Sequence, residues 1–392
     1  MADVEVHPPA EPAPPTLRQE RRPPVPDATE VAPGVVRIQL TIAFPGLGHV
    51  NCYVLEDERG LALVDPGLPG KKPWNELVRR LGQCGYSIDK VHTVVVTHSH
   101  PDHFGAAGRL RQVTGAEIVT QRDFKTIFDP NEEDDTHKDL ADPHDHDGLA
   151  AAQESLLRRA EAKASGMYDT TRHQVRQWKR WNGKAPWGGP HPRPPKKTQL
   201  SFMAQQMSGL GYFRPPRPSK RVVDGQILKL GRRDWVAVHT PGHTVDHLCL
   251  LDPEGGTFIS GDHVLPTITP HISGLVQAPD PLKLYFNSLS KLLDIDGVRT
   301  VLPAHGLTFD NLHERAKEIQ VHHDERLALL RTAGEQLGEA AVGDFSQHLF
   351  KPAVWGPMAD SETYAHLEHL VHSGEAIRRD LPDGSLRYRL TT

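Results

Sequence analysis

Cysteine is scarce in this sequence, which has only Cys52, Cys84 and Cys249 among its 392 residues. The three residues are far apart in the chain. An odd number of scattered cysteines predicts neither a disulfide framework nor a paired metal-binding motif. Such scarcity is typical of proteins from reducing compartments. We therefore predict a cytoplasmic location.

Long apolar runs and a basic excess are also missing. No stretch reaches the roughly 18 apolar residues needed to span a bilayer, and the N-terminus has no apolar core typical of a secretory signal. The formal net charge is -5. The sequence therefore predicts no membrane partner and disfavours nucleic acid as a general ligand, although a local basic patch stays open.

Two parts of the chain differ in composition. Residues 1–33 hold nine prolines and few large apolar residues, which predicts a disordered tail with regular structure beginning near Val35. Residues 34–310 alternate strand-like and helix-like stretches, which predicts a layered α/β domain. Within it, residues 121–221 break the alternation, and we predict a partly helical insertion that acts as a lid.

Residues 311–392 form a third predicted part, with helical patterns followed by a hairpin turned at Asp383 and Gly384. This order resembles a small winged-helix domain. The helix that would contact DNA, within residues 361–374, contains no Lys or Arg, which disfavours contacts with DNA phosphates. We expect this part to pack beside the functional site or to form a homodimer contact.

The heptapeptide THSHPDH, at positions 97–103, follows the apolar run VHTVVV. It places four residues that can bind metal within six positions: His98, His100, Asp102 and His103. Alternate residues of a strand point the same way, so the first two can face one point and the last two another. Open α/β sheets bind ligands beyond the carboxyl ends of their strands. Imidazole and carboxylate together suit zinc, iron or manganese.

Three later residues also follow strand-like runs and lie beside or near glycine: His243 in HTPGHT, Asp262 in SGDH and His305 in PAHG. Together with DPG and THSHPDH, these motifs resemble, in the same order along the chain, those of the metallo-β-lactamase superfamily. The resemblance covers residues 35–307 apart from the insertion. It implies an αββα sandwich.

The resemblance also implies two divalent metal ions, with zinc as the first expectation and iron or manganese as alternatives. Each ion would have three ligands of its own: His98, His100 and His243 for one, and Asp102, His103 and His305 for the other. Asp262 would bridge the two ions. Asp65 would orient a ligand by hydrogen bonding without contacting metal. His247, four residues after His243, is expected to support the ligands rather than to bind metal.

The implied activity is hydrolysis of a small acyl substrate, namely an ester, thioester or lactone, through attack by metal-bound hydroxide. Asp102 is the candidate catalytic residue, which would take up and return the proton. Three alternatives stay open. The basic stretch at residues 172–197 would suit a phosphodiesterase or ribonuclease, a mononuclear iron persulfide dioxygenase shares the HxHxDH pattern, and the third is a metal-stabilised interaction module.

Overall fold

The computed structural model describes residues 17–44, 46–126, 185–189, 213–276 and 278–391. Within these ranges two large β-sheets pack face to face, and helices cover both outer faces. The predicted αββα sandwich is therefore confirmed. Most of the predicted insertion lies outside the described residues.

The first sheet begins with antiparallel strands and continues with parallel ones. Its strands, which follow sequence order across the sheet, are β1 (Thr29–Ala32), β2 (Val35–Phe44), β3 (Leu47–Asp57), β4 (Gly60–Val64), β5 (Val91–Val95), β6 (Glu117–Gln121) and β7 (Lys220–Val222). Strand β5 is buried on both faces, as its β-branched sequence predicts. Val94 packs toward the outer helices, and Val95 packs toward the second sheet.

The second sheet is antiparallel except where its last two strands pair. Its strands are β8 (Ile227–Leu230), β9 (Arg233–His239), β10 (Leu248–Asp252), β11 (Thr257–Gly261) and β12 (Thr300–Pro303). They lie in the reverse order across the sheet, from β12 to β8. Trp235 and Leu250 of this sheet meet Tyr53 and Val64 of the first in the layer between the two sheets.

Helices cover the outer faces of both sheets. The helices of the main domain are α1 (Lys71–Gln83), α2 (Pro101–Phe104), α3 (Ala107–Thr114) and α4 (Pro281–Leu292). Leu77 and Leu110, from α1 and α3, pack on the first sheet, while Tyr285 and Leu289 of α4 pack on the second. The short helix α2 has Pro101 at its first position, where its fixed φ and missing N–H suit a helix start.

The C-terminal region shares a hydrophobic core with the second sheet, in which Phe345 and Tyr388 belong to the same cluster as Phe258. Its elements follow in the order α5 (Leu312–Leu337), β13 (Glu339–Ala341), α6 (Val342–Leu349), α7 (Pro357–His372), β14 (Ala376–Asp380) and β15 (Leu386–Leu390). Strand β15 lies between β13 and β14 in a small antiparallel sheet. The predicted hairpin is present, and its turn spans Asp383 and Gly384.

The N-terminal segment corrects the prediction that structure begins near Val35. A short 3-10 turn covers Gln19–Arg21, and strand β1 pairs with β2. Glu20 is fully buried, and its carboxylate accepts hydrogen bonds from the backbone N–H groups of Thr267 and Ile268. These long-range contacts order a proline-rich segment whose composition alone favours disorder. Residues 1–16 lie outside the described residues.

The structure also bears on the predictions about the cysteines and about membrane-spanning segments. All three cysteines are free thiols, and Cys52 and Cys249 are buried. In the described part of the chain, no helix combines the length and the apolar character that a bilayer crossing requires. The cytoplasmic location stays a prediction.

Candidate metal centre

The predicted ligands meet at one edge of the two facing sheets, where four strands end. Strand β5 is followed by His98, β9 by His243, β11 by Asp262 and β12 by His305. His98 and His100 lie in the loop beyond Val95 rather than in the strand itself. The sandwich therefore brings residues more than 200 positions apart in the sequence to the same place.

Seven side chains form two adjacent groups, and within each group one donor atom from every member lies within 4.8 Å of the others. The groups are His98, His100, His243 and Asp262, and then Asp102, His103 and His305. The grouping of His98 with His100, and of Asp102 with His103, is the one that their spacing in the sequence predicts, while the places of His243, Asp262 and His305 are those that the resemblance implies. Their assignment as metal ligands stays a proposal.

The first group is compact. His100 Nδ1 lies 2.9 Å from His98 Nε2 and 3.1 Å from His243 Nε2. Asp262 Oδ2 lies 3.9 Å from His98 Nε2 and 3.6 Å from His243 Nε2. Three imidazole nitrogens and one carboxylate oxygen therefore converge on one small volume.

Asp262 also reaches the second group. Its Oδ1 atom lies 3.1 Å from His305 Nε2, and its Oδ2 atom lies 3.6 Å from His103 Nε2. The carboxylate of Asp102 lies 3.5 Å from His103 Nε2 and 3.6 Å from His305 Nε2. Asp262 thus stands between the two groups, where a bridging residue would lie.

Hydrogen bonds on the far side of three rings orient their other nitrogens toward the site. His243 Nδ1 lies 2.8 Å from the carbonyl of His271, and His305 Nδ1 lies 2.7 Å from the carbonyl of His49. His103 Nδ1 lies 2.8 Å from Asp65 Oδ2. Because carbonyl and carboxylate oxygens only accept hydrogen bonds, each Nδ1 carries a proton, and each Nε2 faces the site, where the neutral form of the ring would offer its lone pair to a metal ion.

Asp65 supports both groups. Besides His103, its carboxylate accepts hydrogen bonds from the backbone N–H and the hydroxyl of Thr97, at 2.9 and 2.8 Å. The Thr97 hydroxyl lies 3.1 Å from His98 Nδ1, so Asp65 acts on His98 through Thr97. Asp65 has a positive φ of 55°, a conformation that non-glycine residues seldom adopt and that clusters at functional sites.

His247 holds the backbone beside Asp262. Its Nε2 atom accepts a hydrogen bond of 3.1 Å from the backbone N–H of Asp262, and its Nδ1 atom lies 2.8 Å from the Thr240 hydroxyl. Its ring therefore offers no free lone pair, in agreement with the supporting role expected from its position. The close approach explains Gly261, whose φ is 52° and whose added Cβ would lie 2.7 Å from His247 Nε2.

The two groups differ in their electrostatics. Burial, together with the neighbouring imidazoles, lowers the pKa of His98 well below its usual value, and it lowers the pKa of His100 to about 3. Burial also lowers the pKa of His243. These three rings are neutral at physiological pH, which is the form that binds metal.

The second group contains two imidazoles that favour the proton. Burial opposes the charged ring of His103, but Asp102, Asp65 and Asp262 raise its pKa well above the usual value. Burial likewise opposes a charged His305, but Asp262 and Asp102 raise its pKa. Without metal, these carboxylates are therefore balanced by protonated imidazoles.

The arrangement fits divalent metal ions. The Nε2 atoms of His103 and His305 are buried and have no hydrogen-bond partner, which is rare for buried polar atoms in folded proteins. Metal–ligand bonds of about 2.0–2.2 Å place neighbouring ligands of a tetrahedral site roughly 3.4 Å apart. The separations of 3.5 and 3.6 Å between Asp102 and these nitrogens are close to that value.

The site is open on one side. His100 and Asp102 are partly exposed, while the other five side chains are buried. A substrate would therefore approach from the side of these two residues.

Sequence reasoning missed several groups that hold the site, among them the His49 carbonyl described above. The buried carboxylate of Asp246 accepts a hydrogen bond of 3.0 Å from the hydroxyl of Ser99, which lies between His98 and His100. The backbone carbonyl of His271 holds His243. An aspartate next to His247 could have been noticed, but no sequence pattern distinguishes the carbonyl of one residue from any other.

The fold and the site together define an αββα protein whose histidine and aspartate side chains converge where the strands of two sheets end. Residues 45–305 match the model of the metallo-beta-lactamase superfamily. The chain belongs to this superfamily.

Curated relatives are similar over part of their length. The lactamase-like protein aptB of Emericella nidulans is 31% identical over 154 residues, which cover 38% of this chain and 46% of that protein. The atrochrysone carboxyl ACP thioesterase AacuM of Aspergillus aculeatus is 35% identical over 186 residues, which cover 45% of this chain and 55% of that protein. The chain spans about half the length of the curated relatives it matches.

A solved structure is similar over most of the chain. The metallo-beta-lactamase family protein from Thermus thermophilus has a TM-score of 0.66 and 25% sequence identity. The match covers 92% of this chain and 100% of that protein. The likeness therefore includes the C-terminal region as well as the sandwich.

Proposed function

We propose that this protein is a metal-dependent hydrolase that cleaves an ester, thioester or lactone with two divalent metal ions. The convergence of seven imidazole and carboxylate side chains in two adjacent groups carries the proposal. Zinc suits this mixed set of nitrogen and oxygen ligands, and iron or manganese could take the same places.

In this proposal each group holds one metal ion, with His98, His100 and His243 at the first and Asp102, His103 and His305 at the second. Asp262 would contribute to holding both ions, because its two oxygens face nitrogens of both groups. When bound, the two ions would lower the pKa of a coordinated water and polarise the oxygen of the substrate's acyl group.

The residues of the chain would then orient the ligands and move the proton. Asp65 and the carbonyls of His49 and His271 hold the imidazoles with their Nε2 lone pairs toward the site. Burial favours a protonated Asp102, but His103 and His305 lower its pKa to about 2, so it is ionised at neutral pH. Because Asp102 lies at the open side, it could accept a proton from water and return it to the leaving group.

The thioester is the substrate bond we favour. Several similar proteins are named atrochrysone carboxyl ACP thioesterases, and the matched stretches are 32% to 35% identical. Esters and lactones share the same electrophilic acyl carbon. A small-molecule acyl compound, free or carried on a thiol, would therefore be the partner.

We also propose that the chain divides near residue 310, where α5 begins the C-terminal region. The order of helix, strand, two helices and two strands supports a winged-helix-like C-terminal domain. Its shared core with the second sheet supports a role beside the metal site. A homodimer contact through this region stays a prediction.

The test combines metal content with a panel of acyl substrates. We expect close to two metal ions per chain by elemental analysis, and we expect His103→Ala to lose thioester, ester or lactone cleavage by at least two orders of magnitude. His348→Ala, an exposed position on α6, is the control and should retain full activity. Full activity in His103→Ala would contradict the proposal.

The same panel separates the alternatives that the sequence left open. Cleavage of phosphodiesters or RNA without cleavage of acyl substrates would identify a phosphodiesterase or ribonuclease. A single iron per chain, with oxygen uptake on a persulfide, would identify the dioxygenase. Two bound metal ions without any turnover would favour the metal-stabilised interaction module.

A further inference from the structure

We propose that helix α7 of the C-terminal region positions the metal ligand His243, with His271 and Glu362 as the positioning residues that connect them. This inference rests on the proposed role of His243 in binding metal. It assigns a role in the metal site to a helix that lies outside the stretch matched by the family model.

The first link is the hydrogen bond from His243 Nδ1–H to the carbonyl of His271, at 2.8 Å. The corresponding partner of His305 is the carbonyl of His49, which belongs to strand β3. His271, by contrast, lies in a stretch without helix or strand, described over residues 264–276. Its carbonyl can orient His243 only if other contacts fix this stretch.

The second link is made by the first turns of α7. Glu362 Oε2 lies 3.1 Å from His271 Nδ1. Ser361 binds the same stretch, because its carbonyl and its hydroxyl each accept a hydrogen bond of 3.1 Å from the backbone N–H of Gly274. Gly274 has no room for a side chain, since an added Cβ would lie 2.3 Å from Tyr364 of the same helix.

The third link fixes Glu362 itself. Its Oε1 atom lies 3.6 Å from the guanidinium of Arg326, which belongs to helix α5. Burial opposes the ionised carboxyl, but His271 and Arg326 hold the pKa of Glu362 well below its usual range. An ionised, partly enclosed carboxylate is a strong acceptor for the N–H of His271. The path therefore runs from α5 and α7 through His271 to His243.

Glu368 offers a matched control. It lies on the same helix and is also buried, but its carboxylate is bound by Tyr388 and Arg378 of the hairpin and does not touch residues 271–274. Removing either carboxylate should lower the stability of the C-terminal region. Only removal of Glu362 should alter the position of the His271 carbonyl.

The experiment measures zinc affinity of the full-length protein by competition with a chromophoric chelator, together with the thermal midpoint of each variant. Partners that orient metal ligands typically contribute about 10–100-fold in affinity. We expect Glu362→Ala and His271→Ala each to lower the affinity for one of the two zinc ions by about that factor. The other zinc ion, at Asp102, His103 and His305, should keep its affinity, and Glu368→Ala should bind both ions like the parent protein.

The double variant provides a second criterion. Because Glu362 and His271 act in series, Glu362→Ala combined with His271→Ala should weaken zinc binding no more than the stronger single variant. Hydrogen exchange of residues 357–372 in the unmodified protein should slow when zinc is added, because coupling between two sites is reciprocal. These measurements do not depend on any variant's activity.

Two results would overturn the coupling while leaving the proposed function intact. One is equal zinc affinity in Glu362→Ala and Glu368→Ala. The other is exchange in α7 that is unchanged by zinc. A parent protein that binds two zinc ions and shows this coupling, but hydrolyses no acyl substrate, would overturn the proposed function alone.

Discussion

At the scale of single residues, the side chains of the candidate metal centre differ in exposure and in their hydrogen bonds. His100 and Asp102 are partly exposed, whereas the other donors are enclosed and four of the five imidazoles are bonded from behind. A buried ring that is hydrogen-bonded on its far side keeps a fixed orientation toward the site. The two exposed donors are the ones that can also contact substrate.

Asp246 gives a residue-scale prediction about pH. Burial raises its pKa to about 6, above that of a carboxyl group in the unfolded chain. The protonated carboxyl therefore contributes stability that is fully present below about pH 4 and is lost as the pH rises through about 6. Asp246→Asn keeps an oxygen for the Ser99 hydroxyl and never ionises. We expect this variant to gain up to roughly 3 kcal/mol over the parent at pH 8 and little at pH 4.

The measurement is urea unfolding of both metal-free proteins at pH 4, 6 and 8. The difference in unfolding free energy should grow with pH between 4 and 8 because only the parent ionises. A constant difference across this range would mean that the carboxyl of Asp246 does not titrate within it. Ser99→Ala is a control that should leave the pH dependence in place.

The seven donors were predictable from the sequence because each lies in a short motif with glycine or a second donor nearby. The groups that hold these donors in place were harder to predict from the sequence. Glu362 is 91 positions from His271, and His49 is 256 positions from His305. Such pairs form only when the whole chain folds, and one partner is often a backbone carbonyl. Asp65 is the exception, because it was predictable from the DPG motif in which it lies.

At the scale of elements, the strands were predicted well and the N-terminal segment was not. Strand β5 shows a β-branched, wholly apolar pattern because both of its faces are buried. Residues 17–33 show no such pattern. They are ordered by contacts with distant parts of the chain: Leu307 N–H donates to the Gln19 side chain, and Nδ1 of His49, in strand β3, lies 2.8 Å from the Arg22 carbonyl.

Glu20 tests whether this segment is part of the folded unit. Glu20→Ala removes the acceptor of two backbone N–H groups, those of Thr267 and Ile268, at 2.7 and 3.1 Å. Both N–H groups are only part-buried, and hydrogen bonds to a carboxylate contribute about 1.5–3 kcal/mol each. We expect a loss of about 2–4 kcal/mol in unfolding free energy, measured by urea denaturation. Glu254→Ala, at an exposed turn position, should change it by less than about 0.5 kcal/mol.

A small effect in Glu20→Ala, equal to that of Glu254→Ala, would show that the N-terminal segment detaches at little cost. In that case the tail predicted from composition would extend beyond residue 16. Limited proteolysis with trypsin provides an independent check, since cleavage after Arg18 or Arg21 should be slow in the parent and faster in Glu20→Ala.

At the scale of the whole molecule, metal uptake and proton release are linked. The chain has a formal net charge of -5 with neutral histidines. Asp102 and Asp262 raise the pKa values of His103 and His305 and so favour their protonated forms, whereas burial lowers the pKa of His98 and favours its neutral form. Metal ions would displace the protons of His103 and His305, because a ligand must be deprotonated to bind. The first group would bind metal without releasing protons.

This division predicts the number of protons released when two zinc ions bind. We expect fewer protons at pH 5.5 than five ordinary imidazoles would release and a weaker dependence on pH, because the pKa values of His103 and His305 are raised and those of His98, His100 and His243 are lowered. A zinc-bound water with a pKa near 7 stays mostly protonated between pH 5.5 and 6.5. Five histidines with ordinary pKa values near 6.5 would instead release more than about four protons at pH 5.5 and roughly half that number at pH 6.5. Calorimetric titration in two buffers with different ionisation enthalpies counts the protons directly. His103→Ala should reduce the number of released protons by about one at both pH values. In the parent protein, a number that falls steeply with pH would contradict the division of the centre into a group that favours neutral imidazoles and a group that favours protonated ones.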